Sequence, residues 1–282
     1  MPMELHPFDQ AIALQADGPD RFSGHCGRSY WNMLGPFGGI SAATALQAVL
    51  QHPALLGEPV ALTVNYASAL VEGPFTIIAR PVRTNRSTQH WMLELQQQGA
   101  GGALETNLSA TALTALRRPT WGASDVPFPG VPAPDNSLAP VRRAFPLEWF
   151  HRYQLASVCG GIPDAWDGTE NGAGPDTASL TRVWMRDMPL RVLDFCSLTA
   201  LADVFFPRVF LRRATRVPSG TVSMTVYFHA GGELLRQCGS GFVLGQARGQ
   251  VYRNGFFDQT AQLWSAAGEP LATSTQVVYY KE

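Results

Sequence analysis

The sequence predicts an α+β protein made of two similar units in tandem, each an antiparallel sheet wrapped around one central helix. Three observations predict it. An uncharged, alanine-rich helical stretch from Ile40 to Leu50 is followed by four strand-like runs. A second helical stretch opens at Phe195 and is also followed by four such runs. Matching features keep a nearly constant spacing: Phe37 and Phe195 differ by 195 − 37 = 158, Thr63 and Thr225 by 225 − 63 = 162, and Leu104 and Leu271 by 271 − 104 = 167.

Taken in order, residues 19–36 form an extended, aromatic lead-in. Gly38-Gly39 supplies a flexible turn before the first helix, whose small residues fit close packing on a sheet. Strands are expected at 61–68, 75–82, 88–98 and 103–116, with turn chemistry at Gly73-Pro74 and at 99–102. Residues 119–142 carry Pro119, Pro127, Pro129, Pro132, Pro134 and Pro140 and read as a semi-rigid crossing linker. The expected division is therefore 1–118, linker 119–142, and 143–282. Within the second unit, 149–158 reads as a strand, 164–178 as a polar loop and 181–192 as a lead-in.

The second helix is expected over 195–207, with Asp194 as N-cap and Pro207 ending the regular turns. Phe195, Leu198, Thr199, Ala202 and Phe206 make one stripe, and the back of the helix is also small or apolar. A helix apolar all round is wrapped by protein on more than one side. Its one charged residue, Asp203, must find hydrogen-bond partners, shift its pKa or serve chemistry. Strands follow at 220–229, 240–249, 251–264 and 271–280.

Composition narrows the function classes. Net charge is −1 and mean hydropathy −0.03, so no global basic field collects nucleic acid or an anionic membrane. Lys281 is the only lysine, which removes P-loop and Schiff-base chemistry from the body of the chain. Cys26, Cys159, Cys196 and Cys238 form no CxxC pair and are expected as reduced thiols. No zinc-binding helix spacing and no Gly-x-Ser-x-Gly elbow occurs. The first 18 residues lack the basic start and apolar core of a secretory leader, and no 18-residue apolar run exists. The expectation is a soluble, cytoplasmic protein without metal or cofactor.

Over nearly its full length, and most in the second half, the chain resembles the type II (TesB-like) acyl-CoA thioesterases, whose single chain carries two hotdog folds. Ala202-Asp203-Val204-Phe205 matches the family's helix acid. The strand from Gly220 to His229 places Thr221 at its hydroxyl, and Leu271 to Gln276 matches its final Ala-Ser-Thr-x-Gln segment. The resemblance implies that Asp203, Thr221 and Gln276 hold an attacking water, that acyl-CoA is the substrate, and that the chain forms a homodimer or higher oligomer. Where the family reads Asp, His and Arg after the hydroxyl residue, this chain has Ser223, Met224 and Ala230.

The residues themselves are compatible with that chemistry. Thioester hydrolysis needs a carboxylate to take the water's proton and neutral groups to aim the water. The oxyanion needs N–H donors such as those at a helix N-terminus, here Gly38-Gly39, with Gly39 expected as the donor. Asp203 corresponds to Ala45 in the first half (203 − 158 = 45), which implies one composite site rather than two equal ones. The other reading is a non-catalytic acyl-CoA or small-ligand binding protein that keeps the fold without turnover. Hydratase chemistry would need a histidine soon after Asp203, and none is there.

Overall fold

A computed structural model of the chain describes residues 5–99, 101–134, 138–141, 146–172 and 178–282. Parts of the expected linker (135–137 and 142), of the following start (143–145) and of the polar loop (173–177) lie outside the described residues.

The first half contains helix α1 (Pro7–Ala11), strands β1 (Gln15–Ala16) and β2 (Arg21–Cys26), and the central helix α2 (Gly38–Leu50). Strands β3 (Glu58–Tyr66), β4 (Gly73–Thr84), β5 (Thr88–Gln98) and β6 (Leu104–Ala115) follow. The second half repeats the plan. Strands β7 (Tyr153–Cys159) and β8 (Thr181–Asp187) precede helices α3 (Phe195–Leu201) and α4 (Arg208–Arg212). Strand β9 (Ser219–Phe228), helix α5 (Gly232–Cys238) and strands β10 (Val243–Arg248), β11 (Tyr252–Arg253), β12 (Phe256–Ser265) and β13 (Pro270–Tyr280) complete it.

All pairings are antiparallel, and the strands join into one sheet in the order β1-β2-β4-β5-β6-β3-β9-β13-β12-β10-β8-β7. The two halves of that order mirror each other about the β3–β9 seam. Each half curls around its helix, giving the tandem hotdog architecture. At the seam, Thr63 lies opposite Thr225 and the two hydroxyls hydrogen-bond at 3.0 Å. The residues matched in sequence by the offset of 162 are thus direct partners in space, on a local two-fold axis. A register shift recurs at the same offset, between Pro59 and Ala61 in β3 and between Thr221 and Ser223 in β9.

The helices meet beneath the seam. Every residue of α3 is buried, as its all-round apolar surface requires, and Asp194 caps it by accepting from the Ser197 N–H at 2.8 Å. The helix is shorter than its periodicity predicts. It ends at Leu201, and Asp203 follows in a tighter turn in which its N–H reaches only the Ala200 carbonyl. The glycines Gly38 and Gly39 are the first residues of α2 and not a turn before it. A Cβ on Gly39 would lie 2.6 Å from the Phe37 ring and 2.7 Å from the Ala200 carbonyl oxygen, so glycine sets how closely α2 and α3 approach.

Other departures have local causes. The run 149–158 begins as a 3-10 turn, Glu148–Arg152, because Trp149 and Phe150 turn inward to stack, and the strand starts at Tyr153. The run 251–264 is broken by a two-residue hairpin at Asn254-Gly255, both with positive φ. Helices α1, α4 and α5 escape the pattern because one or two turns are too short to display a helical period. The described part of the proline-rich stretch packs as a strap. Phe128, Val131 and Leu138 cover Trp184 and Trp264 on the outer face, and Val141 extends the β7 edge by donating to the Leu155 carbonyl.

Gly39→Ala should therefore lower unfolding free energy by about 1–3 kcal/mol, the usual cost of overpacking. Urea unfolding with an unchanged midpoint would show that the helix crossing tolerates a methyl group.

Candidate active site

Five residues from five different segments meet at one place. Gly38 opens α2, Tyr66 ends β3, Asp203 follows α3, Thr221 lies near the start of β9, and Gln276 sits in β13. The Gln276 side chain joins two of them: its Nε2 donates to Asp203 Oδ1 at 2.8 Å, and its Oε1 accepts from Thr221 Oγ1 at 3.2 Å. This amide orientation follows from charge, because a carboxylate oxygen needs a donor opposite it.

Thr221 reaches this line through a defect in the strand. Strict alternation would put it on the outer face with Ser223 and Thr225. The register shift between Thr221 and Ser223 changes the parity and turns its hydroxyl toward Gln276. Bulges next to functional sites commonly re-aim a side chain in this way.

Asp203 shows only the face of its side chain that borders the cavity; protein encloses the rest. Burial pushes its pKa up to about 7, opposed in part by hydrogen bonds from Gln276 and from the Gly39 N–H. Arg212 and Arg213, two cations near in sequence, pair instead with Glu170 and Glu282. The carboxyl is therefore held by neutral donors and exchanges a proton near neutral pH.

The two glycines separate in role. Gly38 lines the cavity, where a Cβ would stand 2.8 Å from Asp203 Oδ2 and 3.5 Å from the Tyr66 hydroxyl. Gly39 is buried beneath Phe37, and its backbone N–H helps to hold the Asp203 pKa down. Gly39, the residue expected as oxyanion donor, is not among the described residues lining the cavity, whereas Gly38 is. Tyr66 carries no signal of its own in the sequence beyond its place in the strand expected at 61–68. Its hydroxyl donates to the Gly38 carbonyl at 2.9 Å, and burial together with Asp203 keeps it un-ionised.

The cavity encloses about 420 Å³. Phe37, Trp149, Phe150, Phe205, Phe206 and Phe210 supply much of its wall, and Phe37 stacks on Trp149 at a centroid distance of 4.5 Å. Asp203 is the only charged residue among the described lining residues. An apolar wall with a few convergent polar groups is the usual form of a small-molecule site.

The symmetry-related position in the first half carries no such set. Ala45, the counterpart of Asp203, is fully buried. Thr221 and Gln276 map to Pro59 and Ala112 by the register of β3 with β6. Tyr66 maps to Phe228 (66 + 162 = 228), which packs edge-on against Phe195. One end of the duplicated core is polar and open, and the other is filled with rings.

Cys26 is buried, and burial pushes its thiol up to about 11. His229 shares a hydrogen bond with Thr273. The cation Arg83 in β4 aligns through His90 with Leu113, five ladder positions from the cavity residue Leu108. Among the described residues, no helix is long and apolar enough to cross a membrane.

Residues 28–115 match the acyl-CoA thioesterase N-terminal domain, and residues 124–280 match the acyl-CoA thioesterase C-terminal domain. The chain belongs to the acyl-CoA thioesterase family. A hotdog-fold protein of unknown function from Alicyclobacillus acidocaldarius is 42% identical, with 99% of each chain covered and a TM-score of 0.89. An acyl-CoA thioesterase II from Mycobacterium marinum shares the fold at 15% identity, with 97% of this chain and 98% of that one covered and a TM-score of 0.71. A tesB protein from Mycobacterium avium subs paratuberculosis does so at 16% identity, 98% coverage of both chains and a TM-score of 0.72. No curated protein matches the chain. Membership makes the protein a thioester hydrolase by class.

The departures from the thioesterase pattern are accommodated around the site. Met224 is fully buried with its sulfur 3.5 Å from Gln276 Nε2, Ser223 faces Asn65 across the seam, and Ala230 is buried.

Because the folded pKa of Asp203 lies above that of an unfolded aspartate, the native state binds the extra proton between about pH 4 and pH 7. The stability this proton confers is complete at the low end and lost as pH rises through 7. Asp203→Asn removes the titration. Between pH 5 and pH 8 the variant's stability relative to wild type should rise by a few kcal/mol, at about 1.4 kcal/mol for each tenfold difference in proton affinity between the folded and unfolded chain. Urea unfolding at the two pH values measures this, and a constant difference would mean that Asp203 is solvated.

Proposed function

We propose that this thioesterase hydrolyses acyl-CoA to a carboxylic acid and coenzyme A, with Asp203 as general base and Thr221 and Gln276 positioning the water. The observation that carries this reading is the continuous line from Thr221 through Gln276 to Asp203 on the wall of an apolar cavity, beside the N-terminus of α2. A base works best when its pKa lies near the working pH, and burial supplies that for Asp203.

In the reaction, the water oxygen bonds to the thioester carbon while its proton passes to Asp203. The carbonyl π pair moves onto oxygen. We assign the oxyanion to the Gly38 N–H, which lies at the open end of α2 on the cavity wall and meets no acceptor among the described residues. Tyr66 holds the Gly38 carbonyl and so fixes the orientation of this first peptide. The intermediate then collapses, the C–S bond breaks, and the proton on Asp203 returns to the thiolate sulfur. A thiol of ordinary pKa near 8.5 leaves readily, so the leaving group needs little further assistance.

Free-thiol release from a panel of acyl-CoA esters tests the assignment. Asp203→Asn should reduce kcat by about a hundredfold or more. Thr221→Val, which keeps shape and removes the hydroxyl, should cost roughly tenfold, as expected for one hydrogen bond. In wild type, kcat/KM should fall about tenfold per pH unit below about 7, because Asp203 is then protonated. An equally active Asp203→Asn variant would remove Asp203 from the mechanism. Tight acyl-CoA binding without thiol release from wild type would favour a carrier.

A further inference from the structure

The described residues include four buried glutamines, and three of them have their amides satisfied. Gln89 and Gln97 each accept from one backbone N–H and donate to backbone carbonyls, and Gln276 bridges Thr221 and Asp203. Gln259 is the exception. It is 3% exposed, lines the cavity, and makes no side-chain hydrogen bond to the described protein. Its amide opens onto the cavity with no protein partner, which leaves both its donor and its acceptor free for a ligand group.

Its position says which end of the substrate it meets. Gln259 in β12 is the direct register partner of Gln276 in β13, so both side chains leave the same face of the sheet. Partners in an antiparallel ladder stand about 5 Å apart, which puts the two amides side by side. Across the site the strands run β3, β9, β13, β12, carrying Tyr66, Thr221, Gln276 and Gln259 in that order. The exposed rim of the cavity, formed by Met33, Leu34, Ser68 and Ala69, lies on the β3 side. Gln259 lies on the far side among Phe257, Phe206 and Val278, all buried. A thioester held at Asp203 with coenzyme A leaving past the rim directs its acyl chain toward Gln259.

Resting on the thioesterase reading, we propose that Gln259 is a specificity-determining residue that selects acyl groups carrying a neutral oxygen, a hydroxyl or a carbonyl, on about the third or fourth carbon of the chain. The amide offers both a donor and an acceptor, so it serves either oxygen. None of the described lining residues is a cation, and a neutral amide suits a neutral oxygen better than a carboxylate. A site that leaves a polar group unpaired against the plain chain discriminates against that chain.

The test compares kcat/KM for hexanoyl-CoA and 3-hydroxyhexanoyl-CoA (both enantiomers) in wild type, Gln259→Leu and Gln259→Met. Wild type should prefer one 3-hydroxy ester by about tenfold or more. Both variants should lose that ester by a similar factor while hydrolysing hexanoyl-CoA at least as well as wild type does. Equal wild-type rates on all three esters would overturn the proposal. So would variants that lose both ester types alike, since Gln259 would then serve the pantetheine arm or Gln276. Calorimetric binding of the same esters to the Asp203→Asn protein reads the preference without turnover. Absent hydrolysis with a retained 3-hydroxy preference would sink the thioesterase reading and leave this one standing, and equal affinities would sink this one.

Discussion

The ladder between β3 and β9 is the constraint on which the site depends. Five register pairs, from Ala61–Tyr227 to Asn65–Ser223, join two half-sheets into one. Because the pairing is antiparallel and centred on Thr63–Thr225, it sets the halves about a local two-fold axis. The N-terminus of α2 is thereby brought to the end of α3. Without the seam, Gly38 and Asp203 would belong to separate bodies and no shared cavity would exist.

Duplication supplied two equivalent ends of this core, and they have diverged in opposite directions. At one end, glycine at the helix start leaves room for a carboxylate that accepts from backbone and amide donors. At the other, Phe195 and Phe228 fill the equivalent space, and α5 covers it with its Gly232 N–H held by Glu58. An enclosed carboxylate is costly, and Ala45 at the equivalent position spares the other end that cost. The same enclosure that disfavours the anion makes Asp203 a better proton acceptor near neutral pH.

The cavity is sparing with polarity in the same way. Stacked rings exclude water from most of the wall, and the few polar side chains that remain carry position information. Gln276 uses both ends of its amide inside the protein, whereas its ladder partner Gln259 uses neither. Two adjacent residues of one type thus differ in their partners alone, a difference created by which strand lies next to β9.

The sequence by itself determined the tandem plan, the two central helices, the Asp194 cap and the segments bearing Asp203, Thr221 and Gln276, because helix and strand periods and a duplicated spacing are local, countable patterns. It could not show that Asp203 leaves its helix to reach Gln276, that a strand bulge turns Thr221 inward, or that Gly38 rather than Gly39 lines the cavity. Nor could it separate Gln259 from any other strand glutamine, or reveal Tyr66 on the Gly38 carbonyl. Those features arise where elements distant in the chain pack together. Parity at a bulge, burial of a charge and the pairing of an amide are set by neighbours that no local pattern names, so the tertiary structure alone decided them.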